Sequence, residues 1–407
     1  MRHDVPFDVM IRNEALIRQV MNDVVKRPSA RVIFYPSGFS GIELPFTSFE
    51  ITQRAGAIDS FSVTTPGAEA FWESLEMAPY SGSSQGDRIK FFLSFAGKEL
   101  QIFEGFPDER RDTWPQPQPV GGAGGGAAEG WTGGQDPVII TGMGLLGLLK
   151  FIQGAYYGPL GIEGSEPIPY TGYIDKLILH FLRKAGLHGC VVDGPAFGSS
   201  LPYLIEDPLD VNYSDGYQAV TSLAANIHPA GMIFTTPHGQ VRIRAKRPGD
   251  FAGWIFHYSD VFEEDDPGKA RIISFERSWR NTDVVTRVMV IWKEDAAIVE
   301  DSGLKSDFGV RSKTANLPLI GNALDALEAA DKILEDANRW SVGLAATINP
   351  YLQIGSTIKV HPRMGKSGAA RSVEVVGRNI SVNLSGMEPV IQEILTCRAI
   401  EGGQAWA

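Results

Sequence analysis

Cysteine is nearly absent: Cys190 and Cys397 stand far apart, without a CxxC or a Cys/His quartet. That excludes a disulfide scaffold and a zinc ribbon, and it fits synthesis in a reducing cytoplasm. Long apolar runs are missing as well. The closest, Val138 to Leu149, stops at Lys150 and holds three glycines, short of the roughly 18 apolar residues that cross a bilayer. Met1-Arg2-His3-Asp4 puts charge where a signal peptide needs an apolar stretch. Basic excess is also lacking. Lys and Arg number 37 against 48 Asp and Glu, a formal charge of −11, so gripping nucleic acid by neutralising many phosphates is excluded. The seven histidines form no HxxH, HxxxH or HExxH pair, and spacing draws no metal site.

What is present is ordinary globular material. Of 407 residues, 43% are hydrophobic and 21% charged, which predicts a folded chain of two or three domains. Gly 45 and Pro 25 point to many turns and to more strand than helix.

The apolar stripe Leu16, Ile17, Val20, Met21, Val24 and Val25, closed by Pro28, predicts an amphipathic lead helix within an arm over 1–30. Residues 31–150 read as an antiparallel β domain. Strands are expected at Arg31 to Tyr35, twice within Ser48 to Thr65, and at Asp87 to Phe95 and Glu99 to Phe103 around the turn Ala96-Gly97-Lys98. The segment 115–134, with eight glycines, three prolines and one charge at Glu129, reads as a surface loop. Residues 151–265 read as an α+β module. Its first helix carries Ile174, Leu177, Ile178, Phe181, Leu182 and Ala185 on one face, with Thr171 as cap and Gly186 as stop. A second helix runs from a Ser214 cap to Pro229, and a hairpin turns at Thr236-Pro237-His238-Gly239. Residues 266–407 read as a second β domain, with strands at Arg271 to Trp279, Val284 to Trp292, Ile358 to His361, Ser372 to Val376, Ile380 to Leu384 and Ile391 to Ala399, and an inserted helix over 321–340.

Motifs with catalytic associations do not find their required context. Gly142-Met143-Gly144-Leu145-Leu146-Gly147 matches G-x-G-x-x-G, but no acid-bearing strand follows, so a tight turn into a short buried helix is preferred. Gly82-Ser83-Ser84-Gln85-Gly86 matches G-x-S-x-G with a strand after it instead of a helix. Gly365-Lys366-Ser367 lacks the glycine five positions earlier, where Val360 stands. The run Glu263-Glu264-Asp265-Asp266 lacks alternating ligands and reads as a solvated loop. His180 reads as a boundary residue beside its helix stripe, and Arg242, Arg244 and Lys246 as one solvent-facing strand surface. No catalytic, cofactor or metal residue is assigned, and the chain is not expected to be an enzyme. A cell-wall or glycan hydrolase, the competing reading, needs a carboxylate pair or nucleophile that the sequence does not offer.

The layout itself is the remaining signal. Leu100-Gln101-Ile102-Phe103-Glu104-Gly105 and Val138-Ile139-Ile140-Thr141-Gly142, then a helix and hairpin module with His238-Gly239-Gln240-Val241, then Asn281-Thr282-Asp283-Val284-Val285-Thr286-Arg287-Val288 and Pro350-Tyr351-Leu352-Gln353-Ile354-Gly355-Ser356-Thr357-Ile358 follow one another in order. This order resembles the tail or baseplate hub proteins of tailed bacteriophages over roughly 40–400; it departs from them in the 115–134 insertion and in Ser356, where aspartate is commoner. The resemblance implies a mainly β, α+β fold with two tail-tube-like antiparallel β-barrels and a mixed module. It implies a homotrimer whose six barrels adapt a sixfold tube to a threefold spike or fibre. The implied partners are a tail tube or distal tail protein above and a spike, fibre or tape-measure protein below, with DNA only in passage and no membrane insertion. The implied place is the virion tail tip, after synthesis in the host cytoplasm. An acidic channel lining is expected to let DNA pass, because like charges repel at short range. The base of a secretion-system spike is a further alternative; it is expected to carry an OB-fold and β-helix after this region, and the sequence stops at Ala407.

Overall fold

A computed structural model describes residues 29–37, 40–66, 86–95, 98–112, 137–158, 166–188, 191–192, 204–227, 229, 231–244, 256–259, 269–278, 283–293, 295–346, 348–361, 371–384 and 390–400. The lead helix expected over 11–25, the segment 115–134, Gly82 to Gln85, the acidic run 263–266 and Gly365-Lys366-Ser367 lie outside these residues.

Seven strands come first: β1 (Ser29–Tyr35), β2 (Ile42–Leu44), β3 (Ser48–Arg54), β4 (Ser60–Thr65), β5 (Arg88–Phe95), β6 (Lys98–Asp112) and β7 (Val138–Gly144). Their alternation of buried and exposed side chains turns Phe49, Ile51, Phe61, Val63, Phe91 and Phe103 inward. Five phenylalanines, 46, 49, 61, 91 and 103, meet with ring centroids 5.1 to 5.9 Å apart, mostly edge to face, the geometry favoured by the ring quadrupole.

A buried 3-10 turn, Leu145–Phe151, leads into the middle region. That region holds β8 (Gly154–Ala155), β9 (Tyr170–Tyr173), α1 (Ile174–Lys184), β10 (Val191–Val192), β11 (Leu204–Leu209), β12 (Asn212–Tyr213), α2 (Gly216–Ile227), β13 (Met232–Thr235) and β14 (Val241–Arg244). Its own core joins α1 and α2 to Phe106, Leu145, Leu146, Leu148 and Leu149. Helix α1 matches its predicted stripe and closes at Gly186, whose φ of 72° lets the amides of Gly186 and Leu187 bond back to Arg183 and Leu182. The Thr171 cap does not form: Thr171 lies in β9, and position Tyr173 precedes the helix without a side-chain cap. At α2 the cap is Asp215, whose Oδ1 accepts from the Gln218 amide at 2.8 Å. Ser214, the expected cap, instead donates from its hydroxyl to Gln218 Oε1 at 2.7 Å.

The last region contributes β15 (Phe256–Ser259), β16 (Lys269–Ser278), β17 (Arg287–Trp292), β18 (Asp295–Glu300), α3 (Ser302–Phe308), β19 (Ser312–Asn316), α4 (Ala323–Ala337), β20 (Ser341–Ala346), β21 (Thr357–His361), β22 (Arg371–Asn383) and β23 (Val390–Ala399). Strand β15, read in sequence as part of the middle module, pairs in parallel with both β16 and β21. The insert between β16 and β20 is more than one helix. Strands β18, β17 and β19 form a small sheet under α4, with Val288, Val290, Ala326, Ala329 and Ala330 between them.

One sheet of 13 strands runs β2-β1-β5-β6-β7-β4-β3-β22-β21-β15-β16-β20-β23, and β23 returns to pair with β22. Strands β22, β21, β15, β16, β20 and β23 therefore close into a six-stranded barrel. The first seven strands curl around the phenylalanines, and their series ends at β2 among the described residues. Residues 371–383, expected as two strands, form one strand with a bulge between Val375 and Gly377. The gap left between the two expected strands, residues 377–379, follows the bulge and holds Arg378, a charged residue in the strand interior.

Arg378 and its partner Glu393 are both 0% exposed, and Arg378 Nε donates to Glu393 Oε1. The same guanidinium donates to the carbonyls of Leu352 and Asn349, each at 2.9 Å. Glu393 Oε2 accepts from the Asn349 amide at 2.9 Å. This network pins the segment carrying Ile348, Tyr351, Leu352 and Ile354 inside the barrel. Ser356 closes that segment by accepting the Gln353 amide at 3.1 Å. A buried charge deprived of its partner is far costlier than a buried pair. Arg378→Met should lower stability by about 3–5 kcal/mol in urea denaturation, and Arg378→Lys, which keeps the charge, by less.

Candidate assembly surface

Three of the fused strands change partner along their length. Residues 371–374 of β22 pair with β21, and residues 377–383 pair with β3 on the side that β21 has left. In β6, residues 98–105 pair with β5 and residues 105–112 with β7. In β16, residues 269–271 pair with β15 and residues 272–278 with β20. A run of eight strands results, β6-β7-β4-β3-β22-β23-β20-β16, spanning both halves of the sheet.

Register fixes which side chains share its outer face, because Cα partners point the same way. One row reads Glu109, Thr141, Ser62, Glu50, Ser381 and Gln392. The next reads Met143, Ser60, Thr52, Asn379, Ile394, Ala345 and Ser274. A third reads Arg54, Gly377, Thr396, Gly343 and Glu276. The face is mostly hydroxyl, amide and small groups; these rows hold three carboxylates, Glu50, Glu109 and Glu276, against Arg54, and the next row adds Arg398 opposite Ser341. Asn379 Nδ2 donates to Glu50 Oε1 at 2.8 Å across the β3–β22 joint.

The turn from β3 to β4 ties this surface to the middle region. Gly56, at φ 72°, donates its amide to Ile233 O at 2.9 Å and accepts from the Tyr217 hydroxyl at 3.0 Å. Ala55 donates to Val376 O at 2.8 Å. Beneath the turn Asp59 is buried, accepting from Thr235 Oγ1 at 2.6 Å and the Arg54 amide at 3.2 Å. Burial pushes its carboxyl up to about 6, against hydrogen bonds from Thr235, Arg54 and Gln53 that favour the anion.

The remaining sequence candidates fall into structural roles. A Cβ on Gly142 would stand 2.2 Å from the Phe106 carbonyl oxygen, and one on Gly144 2.7 Å from Asp59 Cβ. These glycines therefore serve close packing of β6, β7 and the turn. His180 is half-buried against Tyr156 and Phe181, and burial lowers its basicity, with Lys184 adding to the effect. Arg242 is half-buried on β14, the central strand of the β10-β14-β13 sheet, a correction to the solvent-facing surface expected there. The side chains of Arg244 and Lys246 lie outside the described ones. Among the described residues no three His, Cys, Asp or Glu side chains gather as a metal site. No described helix is long and apolar enough to cross a membrane. Sequence reasoning missed the eight-strand surface; its signal was the alternation of Ser, Thr and Asn with apolar residues along β3, β4 and β22.

No protein-family model and no curated protein matches this sequence. The fold does match. A tail protein from Neisseria meningitidis MC58 superposes with a TM-score of 0.60 at 13% identity, over 92% of this chain and 96% of that one. A 43 kDa tail protein of prophage MuSo2 from Shewanella oneidensis gives 0.54 at 10% identity, over 91% and 98%. A chain of the lidded Francisella PdpA-VgrG complex gives 0.52 at 9% identity, over 93% of this chain and 53% of that one. The mainly β, α+β architecture expected from the tail-hub resemblance is thus the fold of solved phage tail proteins.

Asp59 yields a test of the turn. Its folded value near 6 lies above the ordinary 3.8, so between those pH values the folded state holds a proton that the unfolded state has lost. Its contribution is greatest below about pH 4 and falls as pH rises past 6, on the order of 3 kcal/mol in all. Relative to Asp59→Asn, wild type should lose that much stability between pH 4 and 7 in thermal denaturation followed at each pH.

Proposed function

We propose that this chain is a structural hub of a phage-type tail, three copies of which close into a ring. The observation that carries the reading is the pair of strand edges left over after the intrachain joint. Residues 106–112 of β6 pair with β7 on one side, and residues 272–278 of β16 pair with β20 on one side; among the described residues the other side of each has no strand. Each stretch is the continuation of a strand whose first part pairs elsewhere, as β22 is before it meets β3. Strand edges with no strand beside them are templates for addition of another strand. In the ring, β16 of one copy takes β6 of the next, antiparallel as β3 takes β22. Pro107 on the β6 edge suits a terminal strand position, since it has no amide to donate.

Each chain then supplies two similar quarter-sheets, β6-β7-β4-β3 and β22-β23-β20-β16, and three chains supply six. That arithmetic is what lets a threefold object sit under a sixfold tube, with a spike or fibre protein on its other side. The eight-strand face lines the channel in this reading. Its carboxylates outnumber its cations among the described side chains, and its hydroxyl and amide surface offers DNA no phosphate grip. The likeness to tail proteins over nearly their whole length supports a tail structural role. A non-enzymatic role follows from the same reading. The fold shared with the PdpA-VgrG chain supports, as a second reading, a secretion-spike base; both readings use the same ring, and co-purification with a tail tube protein or with a spike separates them.

Native mass measurement at micromolar concentration should give a trimer of about 133 kDa, three times 44.3 kDa. Ile273, 63% exposed at the β16 bulge, lies in the proposed joint. Ile273→Glu should shift the trimer to monomer with an unchanged far-ultraviolet circular dichroism spectrum. A wild-type monomer, or a trimer indifferent to Ile273→Glu, would sink the reading.

A further inference from the structure

We propose that a cleft beside the β3–β4 turn is a docking site for a carboxylate-bearing peptide segment of a partner protein. The cleft holds about 700 Å³ and lies where β3, β22 and β23 meet the start of β13 and the end of α4. Four cationic side chains line it, Arg54, Lys313, Arg339 and Arg398, against two carboxylates, Asp283 and Asp336. A local excess of two positive charges runs against the −11 of the whole chain.

The cations are unequally engaged. Arg398 Nη1 donates to Asp336 Oδ2 at 2.6 Å. Arg339 is held by Glu335 through Nη2 at 2.8 Å, and its side chain is only 6% exposed. Its Nε is buried without a hydrogen-bond partner. A buried guanidinium nitrogen without an acceptor is costly. Among the described residues Arg54 and Lys313, both exposed, make no side-chain hydrogen bond or ion pair. Guanidiniums held in ion pairs beside an exposed ammonium suit carboxylates, which take planar bidentate contacts as well as a point charge. A nucleic acid fits less well. Its binding rests on many phosphate contacts along a basic track, whereas here four cations, two of them already in ion pairs, sit in a recess of an acidic protein. The site is complete within one chain, so it stands apart from the ring reading, and its failure leaves that reading untouched.

The test uses the full-length protein and a fluorescently labelled peptide of alternating Asp and Gly, with the Asn-for-Asp peptide as control. Anisotropy should show binding of the acidic peptide alone, weakening as salt is raised. Arg54→Ser and Lys313→Ser should each weaken it about fivefold, and the double variant Arg54→Glu, Lys313→Glu should abolish it with circular dichroism unchanged. Equal binding of the Asn peptide, or undiminished binding by the double variant, overturns the proposal. Displacement by a single-stranded oligonucleotide at lower concentration than by unlabelled acidic peptide also overturns it, in favour of a phosphate site.

Discussion

The rest of the structure depends on one constraint: every backbone amide and carbonyl in a strand needs a partner, on both sides if the strand is interior. β22 meets it by dividing its length. Its first residues pair with β21 and complete the barrel, while its later residues give the same side to β3. Without that change of partner the chain would hold two separate sheets. With it, a single hydrogen-bonded surface crosses from one half to the other, and the two halves share one hydrophobic core from Val32 and Phe91 to Leu395 and Cys397.

Such a joint needs support on its inner face, and buried polar groups supply it. The Arg378–Glu393 pair lies in the very strands that make the joint and fastens the segment under them. An apolar pair of similar size would fill the same space, but it would not specify which carbonyls meet which donors. Asp59 does comparable work at the β3–β4 turn, where five hydrogen bonds link the turn to β13, α2, β7 and β22. Both networks hold the geometry of the surface rather than any reacting group.

Charge is unevenly distributed over the surface. The outer face of the eight strands is mainly neutral and leans acidic, whereas the cleft at its border is basic. In a chain of −11 the net charge disfavours polyanions at long range, while local positive charge is gathered in the recess proposed to take an acidic segment.

Local chemistry made much of this legible beforehand. The stripe of Ile174 to Ala185 specifies a buried helix face, Gly239 at φ 77° specifies the hairpin turn, and the alternation along β3 specifies a half-buried strand. These depend on neighbours within a turn or two, so order along the chain was enough to suggest the tail-hub layout. Three things were not legible. Residues 377–379 fall between two expected strands, because the partner that lets Arg378 sit inside one strand, Glu393, is 15 residues away and on another strand. β15 looked like part of the middle region because its partners, β16 and β21, follow it in the chain. The cleft draws Arg54, Lys313 and Arg398 from three distant segments. The sequence by itself determined which residues become strands and helices and which faces are apolar, since periodicity and turn chemistry are local. Only the tertiary structure decided which strand edges meet and which charges are gathered, because pairing across hundreds of residues is a property of the closed sheet and leaves no local pattern.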